Sequence, residues 1–183
     1  MARKAGRVKV ISSKVMFKGR VFGVRRDQVI EPDGTRAMRE IVTHPGSVVV
    51  LPVFSDGRIL LIRQYRYAAS DYLWELVAGH KEPGETFRYG AARELREETG
   101  YTARRFRQLL DVFPTPGFVS ERMVIFLAEG LTKGEAHPED DENIEARIFT
   151  LSEIERWLRG GKIRDAKSVA GLLYYARFVK RKR

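Results

Sequence analysis

Cysteine is absent from this chain of 183 residues, and no long apolar run interrupts it. Without cysteine, disulfide bonds, thiolate nucleophiles and thiolate metal ligands are excluded. No stretch approaches the ~20 apolar residues of a membrane-spanning helix, and the first residues show no secretion-signal pattern. We therefore expect a cytoplasmic protein that does not enter a membrane.

Acidic residues are outnumbered, with 24 Asp and Glu against 34 Lys and Arg, which gives a formal net charge of +10. A basic excess favours anionic partners, including nucleic acids. No nucleic-acid motif with interleaved aromatic residues is present, so we expect a small anionic ligand instead. The hydrophobic content of 43% is sufficient for the core of a single globular domain.

Residues 79–101, GHKEPGETFRYGAARELREETGY, contain the most specific pattern in the chain. Glu94, Glu97 and Glu98 stand at i, i+3 and i+4, so they share one narrow face of a helix. Like charges at this spacing weaken a helix unless a cation lies among them. Carboxylate oxygens without sulfur or imidazole suit Mg²⁺ or Mn²⁺, and Mg²⁺ sites commonly include substrate phosphates. The pattern predicts a metal site that serves a phosphate-containing substrate.

The alternative is a solvated charged helix, because basic residues alternate with the acids. The flanking residues favour a site instead. A loop rich in glycine and proline precedes the helix, Thr86 can cap its start, and Gly100 can end it in the left-handed conformation. The apolar run 74–78 predicts a buried strand that leads into the loop.

The stretch 79–101 resembles the Nudix box at every defined position. A chance match is on the order of one in a hundred million per starting point. The resemblance implies that metal binds here and that water attacks a phosphorus atom of a diphosphate. The implied metal ligands are the carbonyl of Ala78 and the carboxylates of Glu94, Glu97 and Glu98. It implies that Glu97 and Glu98 also contribute to catalysis.

Three further box residues have structural roles by the same resemblance. Glu85 and Arg93 are expected to pair and to hold the loop against the helix. Gly79 is expected to allow close approach of the backbone to the metal, since glycine has no Cβ.

The surrounding sequence resembles the branch of the family that hydrolyses ADP-ribose. In that branch, arginines placed like Arg63 and Arg66 contact phosphate or ribose, which suits a planar guanidinium. Pro116 and Gly117 are expected in a substrate loop, the alternative being an ordinary Pro-Gly turn. The segment 161–166, GKIRDA, is also similar to this branch.

The resemblance to the ADP-ribose branch implies that the acidic run 139–145 supplies the catalytic base or an additional metal ligand. Glu142 is the first choice for the base, and Glu139 and Asp140 are the alternatives. A purely solvated loop is the competing interpretation. His137 is interpreted as a loop residue.

The predicted fold is α/β, a Nudix fold with a mixed β-sheet in an α/β/α sandwich and an N-terminal antiparallel extension. We expect a strand-rich extension over 1–45, which contributes a homodimer contact, and a Nudix hydrolase domain over 46–183. Strands are predicted near 8–29, 48–54, 59–65, 123–128 and 146–150, and helices over 151–158 and 165–179.

The expected activity is metal-dependent hydrolysis of ADP-ribose to AMP and ribose 5-phosphate. The first alternative is hydrolysis of another nucleoside diphosphate derivative, such as a nucleotide sugar or a dinucleotide. The second is a non-catalytic nucleotide- or RNA-binding module, which the complete set of box glutamates disfavours.

Overall fold

The computed structural model describes residues 6–136 and 143–180. Two compact units divide the chain. The first comprises the residues up to Gly46 together with Thr115–Arg122, and the second comprises Ser47–Pro114 and the chain from Met123 onward.

The first unit is a three-stranded antiparallel sheet. Its strands are β1 (Lys9–Lys18), β2 (Gly23–Ile30) and β3 (Arg36–Thr43), in that order across the sheet. Gly34, at a φ of 91°, allows the turn between β2 and β3. The predicted N-terminal antiparallel extension is confirmed, and its strand β1 is exposed along its whole length.

The second unit is built on a seven-stranded mixed sheet. The order β10-β5-β4-β9-β8 forms its main path, while β6 pairs with β5 and β7 pairs with β4. Strands β4 and β9 are parallel, whereas the other pairs are antiparallel. The strands are β4 (Ser47–Val53), β5 (Ile59–Arg66), β6 (Asp71–Glu75), β7 (Val77–His80), β8 (Tyr101–Val112), β9 (Met123–Lys133) and β10 (Glu145–Phe149).

Helices cover both faces of this sheet, which confirms the predicted α/β/α sandwich. They are α1 (Phe87–Thr99), α2 (Leu151–Arg159) and α3 (Ala166–Tyr174), which continues as a π-helical turn over Tyr175–Val179. Val48 and Val50 of β4 pack in one apolar cluster with Leu95 of α1. Val49 and Leu51 pack in the opposite cluster with Ile154 and Leu172 of α2 and α3. A central strand covered on both faces is apolar at successive positions, as β4 is.

Two strands differ from the sequence prediction. The single strand expected over 74–78 is two strands, because the chain leaves β5 after Glu75 and joins β4 at Val77. The long strand β8 was not predicted, since exposed charged residues obscure its alternation. In the described part of the chain, no helix is long and apolar enough to cross a bilayer.

Candidate metal and phosphate site

Helix α1 carries the predicted box glutamates and begins and ends where the sequence indicated. The backbone N–H of Tyr89 donates to Thr86 Oγ1 at 3.2 Å, which caps the first turn. Gly100 ends the helix in the left-handed conformation, at a φ of 73°. Between these ends, Glu94, Glu97 and Glu98 lie on one side of the helix.

Arg93 joins the helix to the loop before it. Its Nε donates to Glu85 Oε1 at 3.0 Å, and its Nη2 donates to the carbonyl of His80 at 3.0 Å. Glu85 in turn accepts from the backbone N–H of Glu82 at 2.9 Å. Burial raises the pKa of Glu85, but the hydrogen bonds from Arg93 and Glu82 outweigh it and hold that pKa below its ordinary value. The loop is therefore pinned to α1 by an ionised pair.

Arg93 also contacts two predicted metal ligands. Its Nη1 lies 2.8 Å from Glu94 Oε1 and 2.9 Å from Glu97 Oε2. Burial lowers the pKa of Arg93, but its carboxylate partners outweigh this effect and raise the pKa above its ordinary value. The guanidinium thus supplies the cation that the clustered carboxylates require.

The expected convergence of three carboxylates is not formed in this conformation. Among the described residues, no three carboxylate or imidazole groups lie close enough together to hold a metal ion. The physical reason is the position of Arg93, which draws Glu94 and Glu97 toward its own guanidinium. In this conformation both carboxylates are therefore engaged with Arg93.

The contact between Glu94 and Gly79 shows that the site fits a metal of the expected class. A Cβ at Gly79 would overlap the carboxyl group of Glu94, so the absence of a side chain lets this carboxylate reach the backbone of β7. The carbonyl of Ala78 belongs to the same strand. Ala78, Glu94, Glu97 and Glu98 offer only oxygen donors, which match Mg²⁺ or Mn²⁺.

Replacing Gly79 by alanine tests this close approach. Because a Cβ meets the end of a flexible side chain, Glu94 should shift while β7 keeps its fold. We expect Mn²⁺ affinity to fall about ten- to a hundredfold, with little change in the melting temperature. Paramagnetic titration with Mn²⁺ measures this. Gly160→Ala, at the end of α2, is the matched control, and equal Mn²⁺ affinity in both variants would contradict the assignment.

Glu98 is buried, with only 5% of its surface exposed, and Arg66 lies within its electrostatic reach. Hydrogen bonding to Glu75 raises the pKa of Arg66; burial opposes this, and the charges of Glu98 and Asp165 add to it. Arg66 Nε and Nη2 donate to the two oxygens of Glu75 at 2.9 and 2.8 Å. The guanidinium is thereby fixed in a bidentate pair beside the box helix.

Arg63 has different surroundings from Arg66. The two residues are three apart in β5, so the alternation of a strand places them on opposite faces. The Arg63 guanidinium stacks on the ring of Tyr72, 4.7 Å from its centre, and lies 3.4 Å from Glu145 Oε2. Arg66 thus pairs with Glu75 within the electrostatic reach of Glu98, whereas Arg63 pairs with Tyr72 and Glu145.

The other predicted substrate and catalytic residues fall in the first unit or outside the described residues, as does His137. Pro116 and Gly117 are exposed residues of the first unit, in the segment whose Phe118 carbonyl accepts from the backbone N–H of Val42 at 2.8 Å. The predicted base Glu142 and its alternatives, together with His137, lie outside the described residues. Those alternatives are Glu139 and Asp140.

Sequence reasoning missed two charged residues, one that pairs with Arg66 and one that pairs with this partner of Arg66. They are Glu75, which is 1% exposed, and Lys167 of α3. A glutamate in an otherwise apolar run was a signal for Glu75, because an isolated buried carboxylate needs a cationic partner. Lys167 offered no such signal, since its partner is 92 residues away in the chain.

The fold and the box helix define a class of enzyme, and comparison with known proteins agrees. A family model described as NUDIX domain matches residues 43–172, and one described as nucleoside diphosphate sugar hydrolase N-terminal domain matches residues 8–42. The chain belongs to the NUDIX domain family and is a Nudix hydrolase.

Individual relatives cover most of the chain. The ADP-ribose pyrophosphatase of Bacillus subtilis (strain 168) is 36% identical over 168 residues, 91% of each chain. A methanol dehydrogenase activator of Bacillus methanolicus has the same identity and coverage. A solved structure titled as that of an ADP compounds hydrolase shares the fold with a TM-score of 0.86, covering 99% of this chain and 98% of that chain at 22% identity.

Proposed function

We propose that this protein hydrolyses the diphosphate of ADP-ribose, giving AMP and ribose 5-phosphate. The observation that carries the proposal is the box helix, which places Glu94 against Gly79 and Glu98 within the electrostatic reach of Arg66, the partner of Glu75. The relative named ADP-ribose pyrophosphatase supports the same substrate. Nudix enzymes of this kind depend on divalent metal ions in general, and we propose Mg²⁺ or Mn²⁺ here.

The chemistry follows from the residues around this helix. Ala78, Glu94, Glu97 and Glu98 would hold the metal, which supplies neutralisation of phosphate charge and activation of water. Water attacks one phosphorus atom, the bridging P–O bond breaks, and an acidic side chain accepts the proton of the water. Glu142 is proposed as that base, while Glu97 and Glu98 organise the site. Pro116 and Gly117 are proposed to border the substrate.

A substrate panel tests the proposal directly. The wild-type protein is assayed with ADP-ribose, a nucleotide sugar and a dinucleotide, each with Mg²⁺ and with Mn²⁺, and the products are identified by chromatography. We expect ADP-ribose to be cleaved with the highest kcat/KM. Preference for a nucleotide sugar would select the second candidate, which the description of the N-terminal family model favours. Retained nucleotide binding without any cleavage would contradict both.

Arginine substitutions test the substrate contacts. Arg66→Lys and Arg63→Lys keep the charge but lose the planar fork of donors. A lost charge-assisted contact weakens binding by about 1.5 to 3 kcal/mol, which is roughly a ten- to 150-fold rise in KM. We expect this rise for ADP-ribose, with Mn²⁺ affinity unchanged. Arg105→Lys, at an exposed pair with Glu129, is the control. An unchanged KM in both test variants would show that neither Arg63 nor Arg66 contacts the substrate.

We also propose that the protein is a homodimer held by the N-terminal extension, residues 1–45. Within the described residues, strand β1 pairs only with β2 and forms an edge of the sheet, and exposed apolar side chains lie along it, among them Val15 at 69%. Such an edge and such side chains are typical of a protein interface. Analytical ultracentrifugation should give a dimer for the wild type and for Phe178→Asp, but a monomer for Val15→Asp. A wild-type monomer would overturn this assembly.

Cytoplasmic location remains a prediction from the sequence, as does the boundary at residue 46 between the extension and the hydrolase domain. The small-molecule substrate class does not require a nucleic-acid partner. The basic excess of the chain instead favours attraction of an anionic nucleotide to the site.

A further inference from the structure

The first turn of α3 carries Lys167, which pairs with Glu75, the partner of Arg66. Lys167 Nζ lies 2.5 Å from Glu75 Oε2 and 2.9 Å from Asp165 Oδ1. Glu75 therefore has two cationic partners, Arg66 from its own sheet and Lys167 from a helix 92 residues later. Burial raises the pKa of Glu75, but the Arg66 hydrogen bonds and the Lys167 charge outweigh it and hold this pKa below its ordinary value. The carboxyl group is therefore ionised at neutral pH.

The backbone beside Glu75 is held by the same turn. The N–H of Leu76 donates to Ser168 Oγ at 2.7 Å, and the Ser168 hydroxyl donates to Asp165 Oδ2. Asp165 also accepts from the backbone N–H of Ser168 at 3.0 Å and so caps α3. Two contacts from the first turn of α3 thus hold this part of the chain, one to the Glu75 side chain and one to the Leu76 backbone. Asp165 supports both, since it contacts Lys167 and Ser168.

These contacts determine the orientation of the Arg66 guanidinium, because they hold its partner Glu75 in place. Nε and Nη2 are both used on Glu75, so the plane of the guanidinium follows the plane of the carboxylate. Lys167 and burial in turn fix the plane of the carboxylate. The remaining amino group, Nη1, forms no part of the grip. A donor held in one orientation within the electrostatic reach of Glu98 suits a diphosphate oxygen, because a pre-oriented group loses little entropy on binding.

We propose that Lys167 is a positioning residue for substrate binding: through Glu75 it holds the Arg66 guanidinium in the orientation that receives the diphosphate. The proposal rests on the proposed function, and it gives a role to Asp165 and the GKIRDA segment that precedes Lys167. Lys167 itself touches neither the substrate nor the box glutamates in this account. Its removal should therefore affect substrate affinity rather than the chemical step.

Three variants of the full chain test the proposal. Lys167→Met removes the ammonium group but keeps the length of the side chain, and Lys167→Arg restores a cation. Lys162→Met is the matched control, since this lysine of the same segment is exposed and its Nζ lies over the ring of Trp157, 5.3 Å from the ring centre. Steady-state kinetics with ADP-ribose gives KM and kcat, and calorimetry with ADP-ribose in the presence of a chelator gives binding without turnover.

Loss of a supporting partner of this kind typically weakens function about ten- to a hundredfold. We expect Lys167→Met to raise both KM and Kd about tenfold with nearly unchanged kcat. Lys167→Arg should restore most of the affinity, and Lys162→Met should match the wild type. A lower melting temperature alone, with KM and Kd unchanged, would overturn the proposal. Loss of affinity that Lys167→Arg does not reverse would also overturn it.

A further variant keeps the test decisive if Lys167→Met does not fold. Glu75→Gln preserves the shape of the bridging side chain but removes its charge, so the grip on Arg66 weakens. We expect the same rise in KM with nearly unchanged kcat, and an unchanged KM would overturn the proposal. The wild-type assay with ADP-ribose distinguishes failure of the proposed function from failure of this proposal. If it does not cleave ADP-ribose, the variants are measured with the diphosphate of the panel that it does cleave.

Discussion

Glu98→Gln should lower the turnover of ADP-ribose by roughly a hundredfold or more while the protein remains folded. Glutamine keeps the size and the helix propensity of glutamate, and it removes the charge that a divalent cation requires. Glu98 is the most buried of the three box glutamates and lies in the field of Arg66. Its loss should therefore affect metal binding more than helix stability.

Two measurements separate this outcome from a general defect. Mn²⁺ titration should show weakened metal binding in Glu98→Gln, and circular dichroism should show the wild-type spectrum. Glu155→Gln places the same substitution on the exposed face of α2 and should leave turnover unchanged. Near-normal activity in folded Glu98→Gln protein would remove this helix from the proposed mechanism.

Glu142→Gln should depress turnover strongly, because a general base typically contributes about a hundred- to ten-thousandfold. Binding of ADP-ribose should remain nearly intact, since the base acts on the attacking water and not on the substrate. The measurement is kcat together with calorimetric binding of ADP-ribose in the presence of a chelator.

Glu139→Gln and Asp140→Asn are the controls in the same acidic run. If Glu142→Gln is silent and one control loses activity, the base has been placed on the wrong residue but the mechanism holds. If all three variants stay active, the run is only solvated, and the box glutamates with the metal must activate the water by themselves.

Much of the box helix could be predicted because its determinants are local. The cap at Thr86, the left-handed end at Gly100 and the common side of Glu94 and Glu98 depend on residues within a few positions of one another. The positions of the carboxyl groups themselves are not set by this local pattern. Helical spacing determines on which side of the helix each side chain begins. The side-chain conformations of Glu94 and Glu97 depend on their charged partner, which is Arg93 in this structure.

The sheet shows the same division between local and distant determinants. The apolar run at 74–78 indicated extended, buried chain, and this is correct. That the run changes partners at Leu76, from β5 to β4, depends on strands that lie outside the run. Strand β8 escaped prediction because it is an edge strand, whose exposed positions can be charged without cost.

The sequence alone determined the family, the fold class, the limits of the box helix and the residue types available to a metal and a diphosphate. Only the tertiary structure decided which charges meet. The pairing of Glu75 with both Arg66 and Lys167 joins segments 9 and 92 residues apart, and the longer of these contacts follows no local periodicity. The reason is that periodicity and capping are set by neighbours in the chain. The partner of a buried charge is set by packing of the whole sheet against its helices.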